Sequence, residues 1–94
     1  MDVVELDKSH VGSWEQLMTL VGKGIGAPHW WGGNLDALWD VITGDLAGRK
    51  PPYLIRLSGL RRQSEDVSLT VDKVQLAFDD ARIERGLAIA FEIT

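Results

Sequence analysis

The sequence predicts an α/β fold in which a three-stranded parallel sheet is packed by three to four helices in two layers. Short apolar strands alternate with amphipathic helices in the order strand, helix, helix, strand, uncertain turn, helix, strand. Strands that are separated by helices favour parallel pairing through right-handed crossovers. The chain has 94 residues, of which 45% are hydrophobic. We therefore expect one domain, residues 1–94, with a modest core.

The first third of the chain predicts one strand and one helix. Residues 3–6 are apolar apart from Glu5 and form the strand. Ser13 is the predicted N-cap because Gln16 stands three residues later, which is the capping-box spacing. The helical stripe at positions i, i+3, i+4 and i+7 comprises Trp14, Leu17, Met18 and Val21. The glycines expected to end this helix are Gly22, Gly24 and Gly26.

A second helix is predicted between Asn34, as its N-cap, and Gly44, just past its C-terminus. Its apolar positions are Leu35, Leu38, Trp39 and Ile42, which are expected to face the core. Residues 45–52 contain one glycine and two prolines, so they are predicted to form a surface connection.

The remaining residues predict a strand, a helix and a strand. Residues 53–57 form the second strand, and the polar residues 60–67 form at most one helical turn. A helix runs from Thr70 to about Arg85, and Gly86 is placed to cap its C-terminus. Its apolar side comprises Val71, Val74, Ala77, Phe78 and Ala81. The last strand covers residues 87–93.

Charge is segregated along the chain, although the net charge is only −4. Residues 29–46 carry three aspartates and no Lys or Arg, whereas residues 47–62 carry five basic residues and no acid. The acidic blocks argue against nucleic acid as the main partner, because phosphates repel them. The basic block keeps nucleic-acid binding open as an alternative, through Arg49, Lys50, Arg61 and Arg62.

Composition and motifs disfavour an enzyme, a metalloprotein and a membrane protein. The chain contains no cysteine, and its two histidines, His10 and His29, have no metal-ligand spacing to another ligand. No nucleophile elbow or phosphate-binding glycine loop is present, so we expect no catalytic residue, no metal and no cofactor. No apolar run is long enough to span a membrane. The N-terminus lacks the features of a signal peptide, and we expect a cytoplasmic protein.

Residues 30–44 carry the strongest functional signal. Trp30 and Trp31 lie in a glycine-containing loop, and Asp36 and Asp40 follow four residues apart on one ridge of the helix. The structural alternative is a solvated helix face for the two acids and core packing for Trp39. However, no Lys or Arg between residues 29 and 46 could neutralise the acids locally. Exposed indoles beside unpaired carboxylates favour a surface that binds a cationic partner.

This segment resembles the core motif of the barstar family, whose members are intracellular inhibitors of a secreted ribonuclease. The match is strongest at Gly32, over Asn34–Asp40, and at Thr43 and Gly44, and it extends more weakly over nearly the whole chain. The resemblance implies a three-stranded parallel sheet packed by helices. It also implies a proteinaceous inhibitor that forms a 1:1 complex with an extracellular microbial ribonuclease and blocks its active site.

The resemblance also implies roles for individual residues. Asp40 would enter the phosphate site of the enzyme, and Asp36 would pair with a second basic group nearby. Trp30 would lie over the region of the active-site histidine. The complete set of expected partner-binding residues is Trp30, Trp31, Asn34, Asp36, Trp39, Asp40, Thr43, Gly44 and Asp80.

Several positions depart from the family pattern. The two tryptophans replace a tyrosine pair, Gly33 replaces an acid, and Asp45 replaces an aromatic residue. Asp80 is one methylene shorter than the family glutamate, and the connection at residues 47–52 is longer and basic. A guanyl-specific ribonuclease is the leading target that the resemblance implies. The alternative is an immunity or regulatory module that binds another basic protein or toxin.

Overall fold

The computed structural model describes residues 1–44, 46–59 and 64–94. Its elements are β1 (Asp2–Asp7), α1 (Trp14–Ile25), α2 (Leu35–Thr43), β2 (Tyr53–Ser58), α3 (Glu65–Arg85) and β3 (Ile89–Ile93). The three strands form one sheet in the order β1-β2-β3, and both pairings are parallel. The predicted α/β fold with a three-stranded parallel sheet is therefore confirmed, and the described residues supply three helices.

The two faces of the sheet differ in chemistry. On one face, β2 buries Tyr53, Ile55 and Leu57 beneath the helices. On the other face, Arg56 lies between Glu5 of β1 and Glu92 of β3 in register. Its guanidinium donates to Glu5 at 2.9 Å and to Glu92 at 3.3 Å. Alternation along the strands thus directs all three helices to the apolar face.

Aromatic rings lie at the centre of the core. Phe78 of α3 is fully buried, and its ring centroid lies 5.5 Å from that of Phe91 and 6.5 Å from that of Tyr53. The remaining buried positions of α3 are Val67, Val71, Val74 and Ala81. The predicted apolar stripe of α1 is correct for Leu17, Met18 and Val21, but Trp14 retains 40% exposure.

The N-terminus of α1 has the predicted cap. Ser13 has extended backbone angles, and its hydroxyl accepts the amide hydrogen of Gln16 at 3.2 Å. The Gln16 side chain accepts in turn from the amide of Gly12 at 2.7 Å. The amides of Gly12 and Gln16, which have no backbone partner in the helix, are thereby hydrogen-bonded to side-chain oxygens.

The C-terminus of α1 lies further along the chain than the sequence predicts. Gly22 and Gly24 are buried inside the helix, and only Gly26 ends it, with a left-handed φ of 69°. A Cβ atom on Gly24 would lie 3.1 Å from a methyl group of Leu6. The prediction that Gly22 and Gly24 end the helix is wrong, because these glycines permit close packing.

The connection between α2 and β2 is fastened to the end of α1. The Gly48 amide donates to the Gly26 carbonyl at 2.7 Å, and the Arg49 amide donates to the Ile25 carbonyl at 3.0 Å. The Arg49 side chain donates through Nε to the Gly24 carbonyl at 2.8 Å. These bonds satisfy carbonyl groups that the helix leaves unpaired. The connection is largely at the surface, as predicted, although Ala47 is buried, and Asp45 lies outside the described residues.

The helix α3 begins five residues before the predicted start at Thr70. Ser64 occupies the N-cap position, and its hydroxyl donates to the Asp66 carboxylate at 2.5 Å. This hydrogen bond lowers the pKa of Asp66. Of the segment predicted as an uncertain turn, residues 60–63 lie outside the described residues, and residues 65–67 belong to α3. Gly86 ends the helix with a φ of 64°, as predicted.

Gly26 and Gly86 make a matched pair for testing how the end of α1 is held. Both have left-handed backbone angles, but a Cβ atom on Gly26 would lie 3.1–3.2 Å from backbone atoms of Gly48 and Arg49, whereas one on Gly86 would meet nothing within 4 Å. We expect Gly86→Ala to lower the free energy of unfolding by about 1 kcal/mol. We expect Gly26→Ala to lower it by at least about 2 kcal/mol, because the backbone that caps α1 must also move.

Urea denaturation of the two variants and of the unchanged chain measures the difference. Equal losses of stability in Gly26→Ala and Gly86→Ala would contradict the close packing of the connection against the end of α1.

Candidate protein-binding surface

Caps at both ends fix the length of α2. The Asn34 side chain accepts from the amide of Ala37 at 2.8 Å, and the Gly44 amide donates to the Asp40 carbonyl at 2.8 Å. Both residues cap the helix as predicted, but Gly44 has a φ of −92° and not a left-handed one. A Cβ atom at Gly44 would lie only 2.6 Å from the Asp40 carbonyl oxygen. Glycine is thus required there for lack of space.

The acidic residues of α2 point away from the core. Leu38, Val41 and Ile42 are buried, whereas Asp36 and Asp40 are exposed. Within residues 1–44, 46–59 and 64–94, neither aspartate makes a side-chain hydrogen bond or an ion pair. Like charges at i and i+4 repel by a few tenths of a kcal/mol. The ridge therefore gains no stability from local pairing.

The two tryptophans before α2 have different environments. Trp30 is 63% exposed. Trp31 is half-buried and packs against the core, with its indole lying over Gly22 of α1. A Cβ atom on Gly22 would come within 2.5 Å of the Trp31 ring. The Trp31 indole thus anchors the loop, and Trp30 provides an exposed aromatic surface ahead of the acidic ridge.

The ring of Trp39 has a cationic side chain close to it. Trp39 is half-buried against the core, and the guanidinium carbon of Arg85 lies 6.0 Å from its ring centroid. The Thr43 hydroxyl donates to the Trp39 carbonyl at 2.6 Å. The helical spacing predicts Trp39 in the core stripe and gives no sign of Arg85, which lies 46 residues further along the chain. Only the direct packing of α2 against α3 brings the two residues together.

The two adjacent aspartates of α3 have different surroundings. Asp79 accepts from Arg82 at 3.1 Å and from Gln75 at 3.1 Å. Asp80 is exposed and has no ion pair among the described residues. Since α3 packs directly on α2, Asp80 adds a further unpaired carboxylate on the helix beside the acidic ridge.

A cleft borders this surface at the start of α2. It has a volume of about 330 Å³, and its lining includes Asn34 and Leu35 together with Trp14 of α1 and Leu69 of α3. Trp14 and Leu69 are 40% and 53% exposed. The sequence pattern does not indicate Leu69, whose exposure depends on the packing of α3.

The basic residues proposed for nucleic-acid binding are not displayed as a group by the described chain. Arg49 caps the end of α1 and lies 3.6 Å from the Asp2 carboxylate. Lys50 also has an interaction partner. Arg61 and Arg62 lie outside the described residues. The local structural role of Arg49 weakens the nucleic-acid alternative.

In the described ranges, no group of three or more His, Cys, Asp or Glu side chains could hold a metal ion. Among the same residues, no helix is long and apolar enough to cross a membrane.

Comparison with known proteins identifies the family. The family model for barstar, the barnase inhibitor, matches residues 1–93. The chain belongs to the barstar family. Proteins of the barstar family are inhibitors and not enzymes, and membership implies an inhibitor of a barnase-type ribonuclease. No match was found among curated proteins.

In this barstar-family chain, α2 and the loop before it hold most of the residues predicted to bind the partner. Eight of the nine predicted residues lie within the segment from Trp30 to Gly44, and the ninth, Asp80, lies on α3. Trp31 and Asn34 also have structural roles, because one packs on α1 and the other caps α2. The contact of each residue with a ribonuclease remains a prediction.

Substitution of Gly22 tests the packing of the aromatic loop on α1. Alanine normally stabilises a helix relative to glycine by about 0.5–1 kcal/mol. Here we expect Gly22→Ala to lower the free energy of unfolding by about 1–3 kcal/mol, because the new methyl group overlaps the Trp31 indole.

The same substitution in a Trp31→Ala background serves as the control. We expect Gly22→Ala to be stabilising there, since the overlapping ring is gone, and a double-mutant cycle by urea denaturation gives the coupling. Equal effects of Gly22→Ala in the two backgrounds would contradict the contact.

Proposed function

We propose that this chain inhibits a secreted microbial ribonuclease by inserting the carboxylates of α2 into the cationic active site of the enzyme. Asp40 and Asp36 would occupy positions that substrate phosphates take, Trp30 would cover the rim of the cleft, and Asp80 would add an outer ion pair. One inhibitor would bind one enzyme and block access of RNA. The inhibitor would act inside the cell before the ribonuclease is exported.

The observation that carries this proposal is the ridge of exposed, unpaired carboxylates on a helix that is capped at both ends. A ribonuclease must bind a phosphodiester and stabilise an anionic transition state, so its cleft is cationic. Carboxylates held on a rigid helix can pair with the same groups without the entropy cost of ordering a flexible segment. The family match supports the ribonuclease as the class of partner.

The charge distribution supports both fast association and slow release. Unpaired acids on one surface attract a cationic partner over several ångströms, and salt screens this attraction. After docking, the same carboxylates become desolvated and pair with basic groups of the enzyme. Aromatic packing from Trp30 would then exclude water around those pairs, which is typical of slowly dissociating complexes.

Substitution of Asp40 is the decisive test. We expect the unchanged chain to abolish RNA cleavage by at least one member of a panel of guanyl-specific ribonucleases at equimolar ratio. Asp40→Ala should weaken that complex by about 3–5 kcal/mol, because the basic groups of the cleft lose their buried partner. Titration of ribonuclease activity and isothermal calorimetry measure the two quantities.

Asp72→Ala is the matched control. Asp72 is also an exposed helical aspartate without an ion pair among the described residues, but it lies on α3 outside the predicted binding set. We expect the Asp72→Ala variant to bind the ribonuclease with the same affinity as the unchanged chain. An Asp40→Ala variant that binds as tightly as Asp72→Ala would contradict the proposal. Capture of a different basic protein from the source cell would favour the immunity-module alternative.

A further inference from the structure

Tyr53 is a buried residue whose hydroxyl lacks a protein partner in the described structure. The side chain is 1% exposed, and its ring lies edge-on to Phe78. Its hydroxyl makes no hydrogen bond within residues 1–44, 46–59 and 64–94. Burial raises the pKa of Tyr53 to about 12, so the phenol keeps its proton at neutral pH. Buried polar groups without a partner are rare in native proteins and call for an explanation.

A cleft lies beside this residue. It has a volume of about 150 Å³ and is lined by Tyr53, Val41 and Thr43 of α2, Arg49, and Leu87 before β3, among others. Among the described lining residues, the charged one is the half-buried Arg49, whose Nε–H donates to the Gly24 carbonyl. The positive charge of Arg49 also acts on the Tyr53 phenol and opposes the effect of burial on its pKa.

The cleft adjoins the end of the predicted binding surface. Thr43 lines the cleft and also donates its hydroxyl to the Trp39 carbonyl, while Arg85 lies over the Trp39 ring. Two cations, Arg49 and Arg85, therefore lie near the C-terminal half of α2, which also carries Asp40, whereas Asp36 lies in its first turn. Among the described residues, the surface combines the acidic ridge with these two basic side chains.

We propose that the Tyr53 cleft binds the carboxylate side chain of an aspartate or glutamate of the inhibited ribonuclease. The phenol O–H and the guanidinium of Arg49 are donors and suit an anionic acceptor, whereas a cation would be repelled by Arg49. The apolar walls formed by Val41 and Leu87 fit the methylene groups next to a carboxylate. The Arg49 contact with Asp2 is long, at 3.6 Å, and Asp2 is exposed, so it competes weakly.

This inference rests on the proposed function, and its first test uses the same panel of ribonucleases. Tyr53→Phe removes only the hydroxyl. We expect it to raise the dissociation constant at least about tenfold, which is the loss of one charge-assisted hydrogen bond. The urea midpoint of Tyr53→Phe should be unchanged or higher, because an unpaired buried hydroxyl is removed.

Ser58→Ala is the matched control, since it removes one hydroxyl from the opposite end of the same strand. Its dissociation constant should equal that of the unchanged chain. If Asp40→Ala weakens the complex and Tyr53→Phe does not, the cleft proposal is overturned and the proposed function stands. In that outcome the hydroxyl would be satisfied by solvent.

A second measurement needs no ribonuclease. Sodium acetate is titrated into the labelled chain, with sodium chloride at equal ionic strength as reference, and NMR follows the Arg49 Nε–H and the Thr43 amide. We expect acetate-specific, saturable shifts of both signals, and we expect them to be lost in Tyr53→Phe and retained in Ser58→Ala. Absence of acetate-specific shifts would overturn the carboxylate site, even if no ribonuclease of the panel is inhibited.

Discussion

Burial of Leu38, Val41 and Ile42 fixes how α2 is turned about its axis, and the acidic surface depends on that orientation. At 100° per residue, Asp36 and Asp40 lie about 165° and about 155° from the centre of this buried face. Packing of α2 against α3 and the core therefore drives the two carboxylates outward. The caps at Asn34 and Gly44 then set where the ridge begins and ends. A helix with the same acids but a weaker apolar face would present them in many orientations.

The outward carboxylates are retained at a small cost in stability. Asp36 gains from its place in the first turn of α2, where a negative charge is favourable. Asp40 lies one turn further and has neither that benefit nor an ion pair among the described residues. Elsewhere the chain does pair its charges, as with Arg56 between two glutamates. Asp72 is unpaired as well, so Asp36 and Asp40 differ from it by their grouping on one ridge of α2 and not by the lack of an ion pair.

Local signals in the sequence predict the strands, both ends of α2, the start of α1, the end of α3 and the acidic ridge. Ser13, Asn34 and Gly86 act within a few residues of their own positions, so their neighbours in sequence reveal their roles. Gly22 and Gly24 could not be interpreted in this way, because their partners Trp31 and Leu6 come from distant segments. The neighbouring residues alone therefore predict a helix end at both glycines.

The start of α3 and the basic end of the site show the same limit. The first turn of α3 contributes one buried residue, Val67, which is too few for a periodic pattern, although Ser64 followed by two acids is a usable N-terminal signal. Arg85 on Trp39 and the hydrogen bond from Arg49 to the Gly24 carbonyl of α1 are long-range contacts. The segregation of charge along the sequence indicates separate acidic and basic segments. It does not show that acidic and basic side chains lie together at α2.

A surface with an acidic and a basic part discriminates between partners better than acids alone. A ridge of carboxylates attracts every cationic cleft, including those of unrelated nucleases and other basic proteins. Cations beside the ridge penalise a partner that brings only positive charge to that position, because like charges in contact are costly. A partner with an acceptor there is penalised less and bound more tightly. If α2 is the binding surface proposed above, the combination would restrict binding to enzymes whose charge pattern is complementary over both parts, because specificity arises from differences in affinity.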